Sequence, residues 1–237
     1  MRGKEAAILR RSIACPSFFR VTIMRPDSSS WQAVFFDFDG VIADSTQVKV
    51  RAFATLFASF RAEVQEAVVR YHLDNGGLPR QQKLRHCFTV LAGQSLSAAE
   101  LEQAGRTFSD LVLEEVVAAP LIAGARTTLE RLKQDKIPTF IVSGTPEDEM
   151  RLIVTRKALS PFFTEVHGSP RAKPTIIADI LAHHTFSPDH CLFIGDAMAD
   201  YRAACAHNLH FLGIVPTGKP SIFPAHIPTA SRVILDW

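Results

Sequence analysis

Four short apolar runs, each stopped by a small polar cluster, constrain this chain more than any other feature. They are Ala33-Val34-Phe35-Phe36 before Asp37-Phe38-Asp39-Gly40, and Pro138-Thr139-Phe140-Ile141-Val142 before Ser143-Gly144-Thr145-Pro146. The other two are Cys191-Leu192-Phe193-Ile194 before Gly195-Asp196, and Phe211-Leu212-Gly213-Ile214-Val215 before Pro216-Thr217-Gly218. Runs that are apolar throughout, and rich in β-branched and aromatic side chains, fit strands buried on both faces. Thr164-Glu165-Val166-His167 fits a shorter strand, and Arg232-Val233-Ile234-Leu235 an edge strand at the end of the chain.

Helical patterns fill the intervals. Residues 125–134 place Leu129 and Leu132 on one side with charge opposite, and 146–158 carry Met150, Ile153 and Val154 behind a Thr-Pro-Glu start. Residues 174–183 carry Ile176, Ile177, Ile180 and Leu181, with Pro174 suited to a first turn. Strand alternating with helix predicts an α/β fold, a doubly wound parallel Rossmann-like sheet. One interval breaks the alternation. Between Ser45 and Leu121 only helical periodicity is present: Phe53, Leu56, Phe57, Phe60 and Val64 form one stripe, continued by Val68, Val69, Tyr71 and His72 to a break at Asn75-Gly76-Gly77. Residues 83–91 and 98–117 read as further helices. The chain therefore divides into an N-terminal extension (1–30), a core (31–45 and 122–237) and an inserted all-helical domain (46–121).

Charge is uneven along the chain. Up to residue 25, six basic residues face only Glu5, so the rest carries −3 against +2 for the whole. The body thus lacks a nucleic-acid footprint, and no nucleic-acid partner is expected. The basic, acid-poor start reads either as a transit peptide or as an irregular extension with Met24 as the true start; the second reading is favoured. No apolar run approaches the roughly 20 residues that span a bilayer, so no membrane partner is expected. Four cysteines without CxxC spacing fit reduced thiols in a cytoplasmic protein. Nothing in the pattern speaks to oligomeric state.

In open parallel sheets, ligands bind at the carboxyl ends of the strands. The residues just past the runs are Asp37 and Asp39, then Ser143 and Thr145, then Asp196. Crowded carboxylates repel unless a cation neutralises them, and hard oxygen ligands suit Mg²⁺. Carboxylates with a hydroxyl and a lysine suit phosphoryl transfer, in which charge neutralisation matters most. Each residue alone has a plainer use: Asp37 and Asp39 as turn and helix cap, Ser143 as a cap, Lys173 and Asp200 as solvated surface charges.

Phe36-Asp37-Phe38-Asp39-Gly40-Val41 resembles the first motif of the haloacid dehalogenase-like hydrolase superfamily. Val142-Ser143-Gly144-Thr145 resembles the second, Lys173 in Arg171-Ala172-Lys173-Pro174 the third, and Gly195-Asp196-Ala197-Met198-Ala199-Asp200 the fourth, in the family's order. The resemblance implies Asp37 as nucleophile, forming an aspartyl-phosphate, and Asp39 as acid and base. It implies Mg²⁺ held by Asp37, the Asp39 backbone carbonyl and Asp196, with Asp200 supporting. Ser143 and Lys173 would bind and neutralise the phosphoryl group, with Gly40, Gly144 and Thr145 lining the substrate.

The insert resembles the helical cap of the phosphoglycolate phosphatase and β-phosphoglucomutase-like branch, and 76–84 resembles its substrate-reaching loop. Arg80 and Lys83 then read as ligands for a second anionic group, or equally as a solvated basic loop. Asp39 counts against dehalogenation. Phosphonate hydrolysis would need a cap lysine as Schiff base; Lys49 is available, without supporting neighbours. The expected activity is a phosphatase acting on a small phosphorylated metabolite, with a sugar-phosphate mutase as the alternative and a non-catalytic binding protein as a further one.

Overall fold

A computed structural model describes residues 31–235. The N-terminal extension, Met24 included, lies outside the described residues. Within them, β1 (Ala33–Phe36), β2 (Thr139–Pro146), β3 (Glu165–Ser169), β4 (Cys191–Gly195), β5 (His210–Ile214) and β6 (Thr229–Ala230) form one sheet in the order β3-β2-β1-β4-β5-β6. Every pairing is parallel.

The uninterrupted apolar runs have the cause inferred for them: alternate residues go to opposite buried faces. Val34, Phe36, Ile141 and Ile194 pack on one side with α5 (Ala125–Gln134) and α6 (Glu147–Arg156). Ala33, Phe35, Phe140, Val142 and Phe193 pack on the other, against α7 (Lys173–His184) and α8 (Met198–Ala206). Helices on both faces of a parallel sheet make the doubly wound arrangement.

The insertion holds α1 (Thr46–Leu56), α2 (Ala62–Asp74), α3 (Arg80–His86) and α4 (Ala98–Ala118), with a π-helical turn at Cys87–Leu91. Ser97 starts α4: its hydroxyl accepts from the Glu100 N–H while the Glu100 carboxylate accepts from the Ser97 N–H, which satisfies two otherwise orphaned donors. The chain leaves and re-enters the core side by side, with Asp44 N–H donating to Pro120 and Ile122 N–H to Ile42, at 2.9 and 3.0 Å.

Three readings from sequence change. The stripe from Phe53 to Val64 is not one helix, because α1 ends at Leu56 and α2 begins at Ala62. Phe57 and Phe60 keep helical spacing across the turn since both rings pack on Phe88, at 4.5 and 6.2 Å between centroids. Residues 232–235 form no strand; the edge strand is Thr229–Ala230. Val233 is apolar because it is fully buried, its carbonyl accepting from Thr128 Oγ1 (2.7 Å) and its N–H donating to Ala123. Finally, the segment read as a loop at 76–84 becomes helix from Arg80.

Candidate active site

The carboxyl ends of β1, β2 and β4 open into a cavity of about 140 Å³, floored by the sheet and roofed by the insertion. Asp37, Asp39, Ser143, Gly144, Thr145 and Asp196 line it from the core, and Lys49, His72, Arg80 and Lys83 from the insertion. The sheet brings together what the sequence spreads over 160 positions.

Asp37 follows β1 directly and is 4% exposed. Its Oδ1 lies 2.9 Å from Lys173 Nζ yet accepts no well-aligned hydrogen bond, so a buried carboxylate oxygen is left incompletely satisfied. Lys173, at the first turn of α7, also donates to Asp200 Oδ1 at 2.5 Å. The other Asp200 oxygen accepts from the Ala197 N–H at 3.0 Å, which ties the start of α8 to the site. Burial alone would lower the Lys173 pKa, but Asp200 and Asp37 outweigh it and hold the ammonium above its ordinary range. Neither Lys173 (4% exposed) nor Asp200 (0%) is a solvated surface charge. Lys173 does not line the cavity; it stands behind Asp37.

Asp37, Asp196 and Asp200 each offer an oxygen within 4.8 Å of the others. Burial, then the charges of Asp37 and Asp200, push the Asp196 carboxyl well above the ordinary carboxylate range. A hard divalent cation would relieve that repulsion and take up the unsatisfied Asp37 oxygen, so the donor set fits such an ion. Asp200 already accepts two hydrogen bonds, which leaves Asp37 and Asp196 as the side chains best free to coordinate.

Asp39 turns its side chain toward the insertion. Ser45 Oγ donates to Oδ1 at 2.6 Å, Lys49 Nζ donates to Oδ2, and the Thr145 hydroxyl contacts Oδ2 at 3.3 Å. Burial opposes charge on Asp39, but Lys49 and Ser45 outweigh it and keep the carboxyl below the ordinary range. Lys49, weighed earlier only as a Schiff-base lysine, also donates to Thr145 Oγ1 at 2.6 Å. Its place could have been seen in the sequence, one helical turn beyond Ser45 on the helix that follows the first motif.

Two glycines are dictated by close approach. Gly40 has φ +82°, and a Cβ there would fall 2.2 Å from Asp196 Oδ2. Gly40→Ala is therefore expected to displace Asp196 and to destabilise the fold by about 1–3 kcal/mol; a thermal melt and a divalent-metal titration read the two effects. A Cβ on Gly144 would meet the Leu78 carbonyl oxygen at 2.7 Å, because the insertion's 76–78 segment lies against the backbone at the carboxyl end of β2. Ser143 Oγ accepts from the Thr145 N–H at 3.1 Å, within the stretch of β2 where its register with β3 shifts, while lining the cavity.

The solvated-loop reading of Arg80 and Lys83 does not hold: they are 4% and 7% exposed. Arg80 makes a two-pronged ion pair with Glu149 of α6 at 2.7 and 2.6 Å, donates to Ser109 Oγ at 2.7 Å and lies over the Phe108 ring. Lys83 Nζ sits 3.2 Å from His72 Nδ1, above the Phe53 ring, and pairs with no carboxylate among the described residues. Burial first, and the nearby Lys49 charge second, lower the Lys83 pKa to about 7. Burial pushes His72 down to about 2, so its ring stays neutral. Glu149 and His72 were missed in the sequence; each is a single polar residue on a helix whose other inward positions are apolar.

A parallel sheet with a carboxylate cluster at its carboxyl edge and a helical insertion after β1 defines a class of hydrolytic enzymes. The chain belongs to that class's haloacid dehalogenase-like hydrolases: the family model for haloacid dehalogenase-like hydrolase matches residues 31–208. It is 25% identical over 191 residues to a phosphoglycolate phosphatase from Pseudomonas putida, covering 76% of this chain and 68% of that protein. CbbY from Rhodobacter sphaeroides, solved with xylulose-1,5-bisphosphate, superposes with a TM-score of 0.67 at 14% identity over 85% of this chain and 94% of that one. A β-phosphoglucomutase from Clostridium difficile gives 0.63 at 18% identity, over 78% and 85%. The two solved structures share this chain's fold over most of its length.

Proposed function

We propose that the protein is a Mg²⁺-dependent phosphatase that hydrolyses a small phosphorylated metabolite through an aspartyl-phosphate on Asp37. The observation that carries this is the buried Asp37 carboxylate, backed by Lys173 and Asp200 and facing Asp196 across one cavity. Asp37 attacks phosphorus and the ester P–O bond breaks; Asp39 gives a proton to the leaving oxygen, then takes one from the water that cleaves the acyl phosphate. Mg²⁺ held by Asp37, Asp196 and the Asp39 carbonyl would supply charge neutralisation to the phosphoryl oxygens. Lys173 steadies the Asp37 charge from behind, and Ser143 presents a hydroxyl to a phosphoryl oxygen. In the substrate-free site Lys49, Ser45 and Thr145 hold Asp39 ionised, so it takes up its proton as those contacts are exchanged for the substrate. Residues 46–121 act as the cap that closes over this chemistry.

Lys83 speaks for a second anionic group on the substrate. With Arg80 saturated by Glu149, Lys83 is, among the described residues, the buried cation of the cavity that lacks a carboxylate partner. The CbbY neighbour was solved with a ligand that itself bears two phosphates. Lys83→Met is expected to raise KM for a carboxylate- or phosphate-bearing substrate by about 10–100-fold at pH 6, with kcat nearly unchanged, the worth of one charge-assisted hydrogen bond. In the wild type, KM should climb as pH passes about 7, because Lys83 loses the proton that binds the anion. A flat KM–pH profile that matches the Lys83→Met profile would reject this role.

The function itself is tested by phosphate release from a panel of phosphorylated metabolites with and without Mg²⁺. Wild-type protein inert across the panel sinks the phosphatase reading. Conversion of β-glucose 1-phosphate to glucose 6-phosphate without free phosphate, given a trace of the 1,6-bisphosphate, replaces it with the mutase.

A further inference from the structure

A second set of metal-ligating side chains lies away from the cavity. Glu165, at the start of β3, and His183 and His184, the last two residues of α7, each offer a ligand atom within 4.8 Å of the others. His184 Nε2 is 2.6 Å from Glu165 Oε1. The other Glu165 oxygen is 2.6 Å from His167 Nε2, while Arg171 donates to His167 Nδ1 at 2.8 Å. That donation makes His167 Nε2 the protonated nitrogen, so His167 donates to Glu165 and fixes one carboxylate oxygen, leaving Oε1 aimed at the His pair.

The imidazole of His184 is held as well. It stacks on Phe186 with centroids 5.0 Å apart and meets Phe140 edge-on at 5.2 Å. The His183 ring stands at 88° to it, 4.8 Å away. A carboxylate oriented by an outer His–Arg pair has the hydrogen-bonded outer support that metal ligands ordinarily have, and the aromatic contacts fix the plane of the His184 ring. The end of α7 adds the negative pole of its peptide dipoles, which favours a cation there.

We propose that Glu165, His183 and His184 bind one borderline divalent ion of the Zn²⁺ class, with an open coordination position facing solvent. Two imidazoles and one carboxylate match such ions, whereas Mg²⁺ takes all-oxygen sets, so the two sites select different metals. α7 carries Lys173 at its other end, about 17 Å away at 1.5 Å per residue. Zn²⁺ would pin the edge strand β3 to that helix without entering the cavity.

The test is calorimetric titration of Zn²⁺ into the full chain with millimolar Mg²⁺ present, with Co²⁺ absorption as a second readout of nitrogen ligation. Wild type should take one tight equivalent, and His183→Ala and Glu165→Gln should each weaken it at least about tenfold. His183 is exposed, so its loss removes no core packing; melts without zinc verify this. Asp196→Asn should retain the equivalent. No zinc uptake by the wild type, uptake unchanged in both variants, or uptake lost in Asp196→Asn each overturns the site.

Discussion

Asp37→Asn is expected to lower kcat at least about 10⁴-fold while leaving the fold intact or slightly more stable. An amide is nearly the same size as the carboxylate but is too poor a nucleophile to form an acyl phosphate, so the two-step route is lost. Stability should not fall, because the substitution removes one of the charges that push Asp196 upward. Phosphate release, trapping of labelled phosphate on acid-quenched protein, and a thermal melt together check the claim. Activity within tenfold of wild type, with a normal melt, would remove Asp37 from the nucleophile's place.

Lys173→Met should have the opposite balance, a large loss of stability as well as of activity. Lys173 is the shared cation of two buried carboxylates, at 2.9 Å from Asp37 and 2.5 Å from Asp200. Removing it leaves both uncompensated, and breaking a buried pair from one side costs about 3–5 kcal/mol. For a domain of this size that is a fall of roughly 10 °C in Tm. Mg²⁺ should restore part of the loss by supplying the missing positive charge, and Lys173→Met/Asp200→Asn should restore another part by removing one orphaned anion. A single variant that melts within about 2 °C of wild type without added metal would mean that the carboxylates are neutral in the folded protein, contrary to the geometry.

The sheet was legible in the sequence because double burial leaves a mark that short segments can carry: Ala33–Phe36 and Cys191–Ile194 are apolar at every position. The same logic misled at Val233, where burial under α5 produced an apolar cluster without a strand. The break between α1 and α2 was hidden because Phe57 and Phe60 reach the same ring from opposite sides of a turn that preserves helical spacing. At the site, residues at strand ends could be read because their position follows from the topology. His72 and Glu149 could not, since what matters about each is a partner 11 and 69 positions away, set by how the insertion folds and seats on the core. Arg80 was found for its charge, but the Glu149 pair that spends that charge is visible only in three dimensions.

The ties between insertion and core limit how far this protein can be re-engineered by exchange of parts. Substrate contacts come from one segment and bond-breaking groups from the other, which invites grafting a foreign 46–121 segment onto this sheet to change specificity. Yet Lys49 must find Asp39 and Thr145, Arg80 must find Glu149, and the 76–78 backbone must find a glycine at 144. A graft that ignores these addresses would bury an unmatched Glu149 and leave Asp39 without its lysine. A portable unit therefore has to carry the receiving residues with it, and the useful boundary for recombination is drawn through contacts rather than along the chain.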